Sequence, residues 1–244
     1  MNYKQFYSFD LWNTLFRSNP EFKKQRLDIL TELFETNDSD ENIQKCYQVY
    51  IASDSAIEKI ADATGKHFGF EERLRMMSYC YRQLSEQEIS TCKQKIELAF
   101  LTNPPILINP HTEHIIQSLR YNGCGIAVCS NTGMIDGSVM RRVLEYHKLM
   151  PLIDVSIFSN EVGFAKPHKT IFNCLKAFCV NAEIFHVGDN LLTDYLGAIN
   201  NNIQSILFYD KEVPCDPQIE FITSLPQLLF QEKKNVSRTF HVGV

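Results

Sequence analysis

The 244-residue chain has no C-x-x-C pair, no run of Lys or Arg longer than two residues, and only one tryptophan. It also has no uninterrupted apolar stretch near the roughly 20 residues that a membrane-spanning helix requires. Each absence narrows the function. Lys23-Lys24 and Lys233-Lys234 are isolated pairs and the net charge is −5, so nothing in the electrostatics favours a phosphate backbone or an anionic bilayer. Neither nucleic acid nor membrane is expected as a partner. The eight cysteines lack zinc-site spacing; the nearest approximations, Cys124 with Cys129 and Cys174 with Cys179, read better as small buried apolar residues. No apolar signal segment follows Met1, and the cysteines fall mostly inside helix- or strand-like patterns, which predicts a reducing, cytoplasmic protein.

What is present is a change of pattern along the chain. An apolar run, about Phe6 to Leu11, reads as a strand. A helical region follows, opened by Asn19-Pro20 as N-cap and first helical position, with Phe22, Leu27, Leu30, Leu33 and Phe34 at near-helical spacing. Ser85-Glu86-Gln87-Glu88 reads as a capping box for a helix carrying Ile89, Cys92, Ile96 and Ala99. Helical stretches at about 41–62 and 70–83 lie between, separated by Gly65 and Gly69. From Asn109-Pro110 onward, helices alternate with short continuous apolar runs: "GIAVCS", "VSIFS", "IFHVG" and "SILFY". The intervening helices fall at about 138–147, 168–179 and 194–200. That alternation predicts an α/β fold, a Rossmann-like parallel sheet with right-handed crossovers. The domain boundaries follow: residues 1–16 and 104–232 as the α/β core, 17–103 as a helical cap, and 233–244 as a polar C-terminal tail.

In open parallel sheets, sites form beyond the carboxyl ends of the strands. The polar residues that follow the predicted strands there are Asp10, Ser130-Asn131-Thr132 and Asp189-Asn190, with Asp194 four residues past Asn190 and Lys166-Pro167 opening a helix between them. The set suits phosphoryl chemistry. Asp10 can attack phosphorus to form an aspartyl-phosphate. Lys166 offsets the gathered negative charge, Mg²⁺ on Asp10 and Asp189 offsets more, and Ser130 can hydrogen-bond a phosphoryl oxygen. Pro167, in the first turn, would leave the neighbouring helix N–H groups free for anions.

The order "FDLWNTL", "VCSNTG", "FAKPHKTIF", "HVGDNLLTD" resembles motifs one to four of the haloacid dehalogenase-like (HAD) hydrolase superfamily, over nearly the whole chain to about residue 230. The helical insert stands where that family's first-position cap lies. The resemblance implies a nucleophilic Asp10, a Trp12 backbone carbonyl on Mg²⁺, and a phosphoryl group held by Ser130 and Asn131. It further implies charge stabilisation by Lys166 and a metal bound by Asp189 with Asp194 in support. The departure is Trp12, because the family's phosphatases usually place there an aspartate that protonates the leaving group. An indole cannot do this at useful pH. The family's dehalogenases also carry an aromatic residue here, attack carbon and need no metal, but tend to lack the acid that this chain keeps as Asp189.

The expected activity is Mg²⁺-dependent hydrolysis of a small phosphorylated metabolite. Metal-independent dehalogenation of a 2-haloacid and phospho-ligand binding without turnover stand as alternatives. The oligomeric state is not written in the sequence. Asp194 could instead cap the helix beginning "YLGAI". His186 reads as a core histidine with one satisfied nitrogen, His168 as a first-turn surface residue, and His111 with His114 as one solvated helix face lacking a third ligand.

Overall fold

The computed structural model describes residues 3–34, 40–209 and 218–230; the expected polar tail lies outside them. "GIAVCS" forms a strand, β4 (Gly125–Ser130), buried at all six positions. Both of its faces are covered, which is why it reads as a continuous apolar run. Its neighbour β1 (Gln5–Phe9) pairs with it in parallel, Tyr7 opposite Ile126 and Phe9 opposite Val128. On the other side of β1 lies β6 (Glu183–Gly188), again parallel, with Ser8 opposite His186. The sheet is completed by β5 (Val155–Phe158), β7 (Gln204–Phe208) and β8 (Phe221–Ile222), in the order β5-β4-β1-β6-β7-β8. The polar residues after β1, β4 and β6 therefore emerge side by side at one edge.

Around the sheet run α5 (Thr112–Tyr121), α6 (Gly137–Tyr146), α7 (Ser159–Val162), α8 (Lys169–Phe178) and α9 (Gly197–Ile199). Between β1 and α5 stand four helices: α1 (Pro20–Leu33), α2 (Asp40–Thr64), α3 (Phe70–Ser78) and α4 (Glu86–Thr102). The N-caps of α1 and α4 are those read from the sequence. Asn19 accepts a hydrogen bond from Glu21 N at 3.0 Å, while Ser85 Oγ accepts from Glu88 N at 3.3 Å and Glu88 Oε2 from Ser85 N at 2.8 Å. α3 stops at Ser78, short of the expected 83, because the chain tightens into i→i−3 turns, Cys80 N to Met77 O and Tyr81 N to Ser78 O. At the joints of the insert, β2 (Phe16–Arg17) pairs antiparallel with β3 (Ile106–Leu107). Apolar residues of the insert (Phe22, Leu30, Leu74, Ile96) and of the sheet layer (Phe9, Leu11, Val128, Met140) belong to one continuous hydrophobic cluster.

Candidate active site

β1 ends at Phe9, so Asp10 is the first residue past the strand, its N–H still donating to Val187 O at 2.9 Å. Its carboxylate is buried, and Oδ1 accepts a hydrogen bond from Lys166 Nζ at 2.7 Å. The same ammonium donates to Asp194 Oδ1 at 2.6 Å and to Cys129 O at 2.8 Å. All three donors of Lys166 are thus spent in a site where its side chain is 1% exposed. Asp189 completes the group: one oxygen from each of Asp10, Asp189 and Asp194 lies within 4.8 Å of the others.

One lysine does not neutralise three carboxylates. Burial, then the charge of Asp194, pushes the carboxyl of Asp189 up to about 6; burial likewise lifts Asp10 to about 6, against the pull of Lys166. Burial also opposes ionisation of Asp194, but Lys166 and His186 overcome it and hold that carboxyl below the usual range. Lys166 stays protonated, because Asp10 and Asp194 outweigh its desolvation. The excess negative charge on hard oxygen donors fits Mg²⁺. Asp10 keeps Oδ2 without a hydrogen bond among the described residues and Asp189 is met by the Asn13 side chain, whereas both oxygens of Asp194 already accept hydrogen bonds, Oδ2 from Asn190 N at 3.0 Å.

His186 has both ring nitrogens engaged, where one was expected: Nε2 with Asp194 Oδ1 at 3.2 Å and Nδ1 with Ser8 Oγ at 3.1 Å. Burial and the charge of Lys166 lower its pKa and keep it neutral. An ionised carboxylate can only accept, so Nε2 donates to Asp194 and Nδ1 accepts from Ser8. The register Ser8↔His186 across β1 and β6 creates this prop beneath the site. Gly188 makes room above it, since a Cβ there would stand 2.3 Å from the Asp194 carboxyl carbon.

Several expected roles fall differently. Asn190, and not Asp194, caps the helical turn Leu191–Leu196, accepting from Leu192 N at 2.8 Å and Thr193 N at 3.0 Å. The helix expected near 194 therefore begins at 191, with a π-helical first turn. Pro167 precedes α8 instead of opening it; His168 is the N-cap, accepting from Thr170 N at 3.2 Å, and its ring stacks on Phe164 with centroids 4.3 Å apart. Ser130 is fully buried and does not line the cleft above the site. Asn131 lines it, but its side-chain amide grips the backbone of Lys166, donating to Lys166 O at 3.0 Å and accepting from Lys166 N at 2.7 Å. Neither His111 nor His114 belongs to a metal-competent cluster among the described residues.

The cleft has a volume of about 590 Å³ and lies between this edge of the sheet and the helical insert. Backbone bonds hold the insert there: Ala165 N to Gly65 O at 2.8 Å and His67 N to Gly163 O at 3.2 Å. Gly65, at φ +69°, packs against His168 so closely that a Cβ would stand 2.6 Å from it. Trp12 lines the cleft beside Asp10, half-buried, its ring 6.2 Å from that of Phe100. The residues that the insert turns toward the site were not identifiable from helical periodicity, which marks a buried face without naming what it faces.

A sequence model described as haloacid dehalogenase-like hydrolase matches residues 8–208. No curated protein sequence matches the chain. Among solved structures, the chain is similar to a HAD phosphatase from Thermococcus onnurineus (17% identity, TM-score 0.66, covering 93% of this chain and 97% of that one). It is also similar to a 2-haloacid dehalogenase from Pseudomonas syringae pv. Tomato DC3000 (15%, TM-score 0.65, 94% and 99%). A third is the HAD hydrolase YfnB from Bacillus subtilis, bound to magnesium (18%, TM-score 0.62, 95% and 99%). At these identities the structures show a common fold and nothing finer. With a family model spanning most of its length and the segments after three strands converging on one buried lysine, the chain belongs to the haloacid dehalogenase-like hydrolases.

Proposed function

We propose that this hydrolase is a Mg²⁺-dependent phosphatase of a small phosphorylated metabolite, working through an aspartyl-phosphate on Asp10. The observation that carries the reading is the buried grouping of Asp10, Asp189 and Asp194 around Lys166. Mg²⁺, when bound, would supply the positive charge that this group lacks, held by Asp10, Asp189 and the Trp12 carbonyl. Lys166 fixes Asp10 through Oδ1, which leaves Oδ2 without a hydrogen-bond partner among the described residues and available for attack. Oδ2 forms a bond to phosphorus while the ester oxygen leaves with its electron pair and takes a proton from solvent. Water then attacks the same phosphorus, the acyl phosphate P–O bond breaks, and Asp10 and inorganic phosphate are released. Lys166 screens the charge in both steps. Asn131 keeps its backbone in place, and its own backbone N–H is the donor proposed for a phosphoryl oxygen; Ser130, buried beneath it, is not assigned that role. The prop from Ser8 through His186 to Asp194 keeps the ammonium aimed. The insert acts as the cap that shields the site from water.

A panel of phosphate esters and 2-haloacids, assayed with and without chelator, tests the proposal. Ester hydrolysis lost on chelation is expected. Trp12 favours the second reading, dehalogenation; halide release that survives chelation would establish it in place of the first. Phospho-ligand binding without turnover is separated by beryllofluoride in Mg²⁺, which the phosphatase should bind through Asp10.

A further inference from the structure

The insert's arginines sort into two kinds. Arg73 pairs with Asp54 and Glu58, Arg75 with Glu71 and Glu86, and Arg82 with Glu88. Arg26 pairs with no carboxylate among the described residues, although it is half-buried and lines the cleft. Aromatic rings hold it instead: its guanidinium carbon lies 4.5 Å from the centroid of Tyr50 and 5.2 Å from that of Phe22. Lys23, one turn earlier on α1, and Lys66 also line the cleft without an ion pair among the described residues. Three acidic residues of the insert share the lining, besides Asp10, Asp189 and Asp194 at the sheet edge. Asp54 and Glu58 are engaged by Arg73, and Asp62 is exposed.

An apolar wall connects this cation to the reaction centre. Trp12, two residues from Asp10, packs on Phe100, and Phe100 packs edge-on against Phe22 with centroids 4.9 Å apart. Arg26 then covers Phe22. The cleft therefore has a phosphoryl-handling end, an aromatic side and an unpaired guanidinium at the far end of that side. A planar guanidinium held on rings, with its N–H fork unspent, is built to receive an oxyanion.

We infer that Arg26, assisted by Lys23, binds a second anionic group of the substrate, so that the preferred substrate is a phosphomonoester carrying a carboxylate or a second phosphate away from the scissile bond. The inference rests on the phosphoryl reading of the Asp10 end. It makes Arg26 a specificity-determining residue, with the aromatic wall contacting the body of the substrate.

Binding to stable analogues tests this without turnover. A series of carboxyalkylphosphonates of increasing spacing, each matched with the alkylphosphonate lacking the carboxylate, is titrated in Mg²⁺; bisphosphonates of the same spacing form a second arm. Trp12, the chain's only tryptophan, reports occupancy by its fluorescence. At the spacing that fits, the second anion should tighten binding roughly 10- to 100-fold, the range for hydrogen bonds to a charged group. Arg26→Gln should collapse that ratio toward one, Arg26→Lys should keep part of it, and Lys23→Gln should reduce it less. The two arms decide between carboxylate and phosphate. A ratio near one at every spacing, or an unchanged ratio in a folded Arg26→Gln protein, overturns the second-anion site while leaving the phosphoryl end intact. If no phosphonate binds in Mg²⁺, the phosphoryl reading fails and this inference fails with it.

Discussion

Replacing the proposed nucleophile should make the metal-free protein more stable. Asp10 is buried, and its carboxyl is lifted from 3.8 to about 6 even though Lys166 donates to it at 2.7 Å. Its folded-state pKa lies above the unfolded one, so folding favours the neutral form: the cost is absent well below the ordinary carboxylate range and reaches its full size as pH rises past about 6. A rise of that size corresponds to about 3 kcal/mol. Asp10→Asn removes the charge but keeps an oxygen that can accept from Lys166, which retains Asp194 and Cys129 O as well. Loss of the charge-assisted bond offsets part of the gain, leaving about 1–3 kcal/mol near pH 7.5, or roughly 3–10 °C in Tm for a chain of this size. The assay is thermal or urea unfolding of both proteins in chelator, near pH 7.5 and again near pH 4.5, where the folded wild-type carboxyl is protonated and the difference should shrink to about a third. An Asp10→Asn protein that is no more stable than wild type at the higher pH would refute the claim that the site is short of positive charge.

Other perturbations probe separate parts. Binding of Mg²⁺, followed by calorimetry, should weaken as pH falls below about 6, because Asp10 and Asp189 take up protons there and the protonated carboxyls are poor ligands. Trp12 offers no acidic proton, so wild-type rates of Asp10 phosphorylation should fall steeply as leaving-group pKa rises; Trp12→Asp should flatten that slope by restoring an acid worth roughly 10²- to 10⁴-fold on alkyl esters. A flat wild-type slope would mean that another group supplies the proton. Gly188→Ala drives a Cβ into the Asp194 carboxylate, and turnover should fall more than tenfold with the fold retained by circular dichroism. Ser85→Ala removes the cap of α4 and should cost about 1 kcal/mol in unfolding assays while leaving the chemistry at Asp10 in place.

The parts legible in the sequence were those whose signal is local. A buried parallel strand announces itself as a continuous apolar run, and the first polar residue after it marks the edge where sites form. Asp10 and Asp189 were found in this way, Asp194 four residues past Asn190 and Lys166 ahead of a helix, and they meet at hydrogen-bond distance or nearly so. What the sequence hid depends on pairing across the sheet or on competition between neighbours. His186 looks like an ordinary core residue until β1 and β6 are placed in register and Ser8 stands beside it. Asn190 and Asp194 are both plausible caps by residue type, and only the geometry shows the amide capping the turn while the carboxylate folds back onto Lys166. The two-residue strands β2, β3 and β8 are too short to carry a period. Arg26 is one charged residue among several on α1, and its unpaired state emerges only when the carboxylates around the cleft are matched to their partners.

The most direct test of the central claim is chemical capture of the intermediate. Wild-type protein and the Asp10→Asn variant are mixed in Mg²⁺ with an aryl phosphate, quenched in acid within a single turnover, digested and read by mass spectrometry. The account predicts the mass of one phosphoryl group on the wild-type peptide that carries Asp10, with neither modification nor turnover in the variant. Turnover that persists in Asp10→Asn, or a phosphoryl group found on any other side chain, would contradict it.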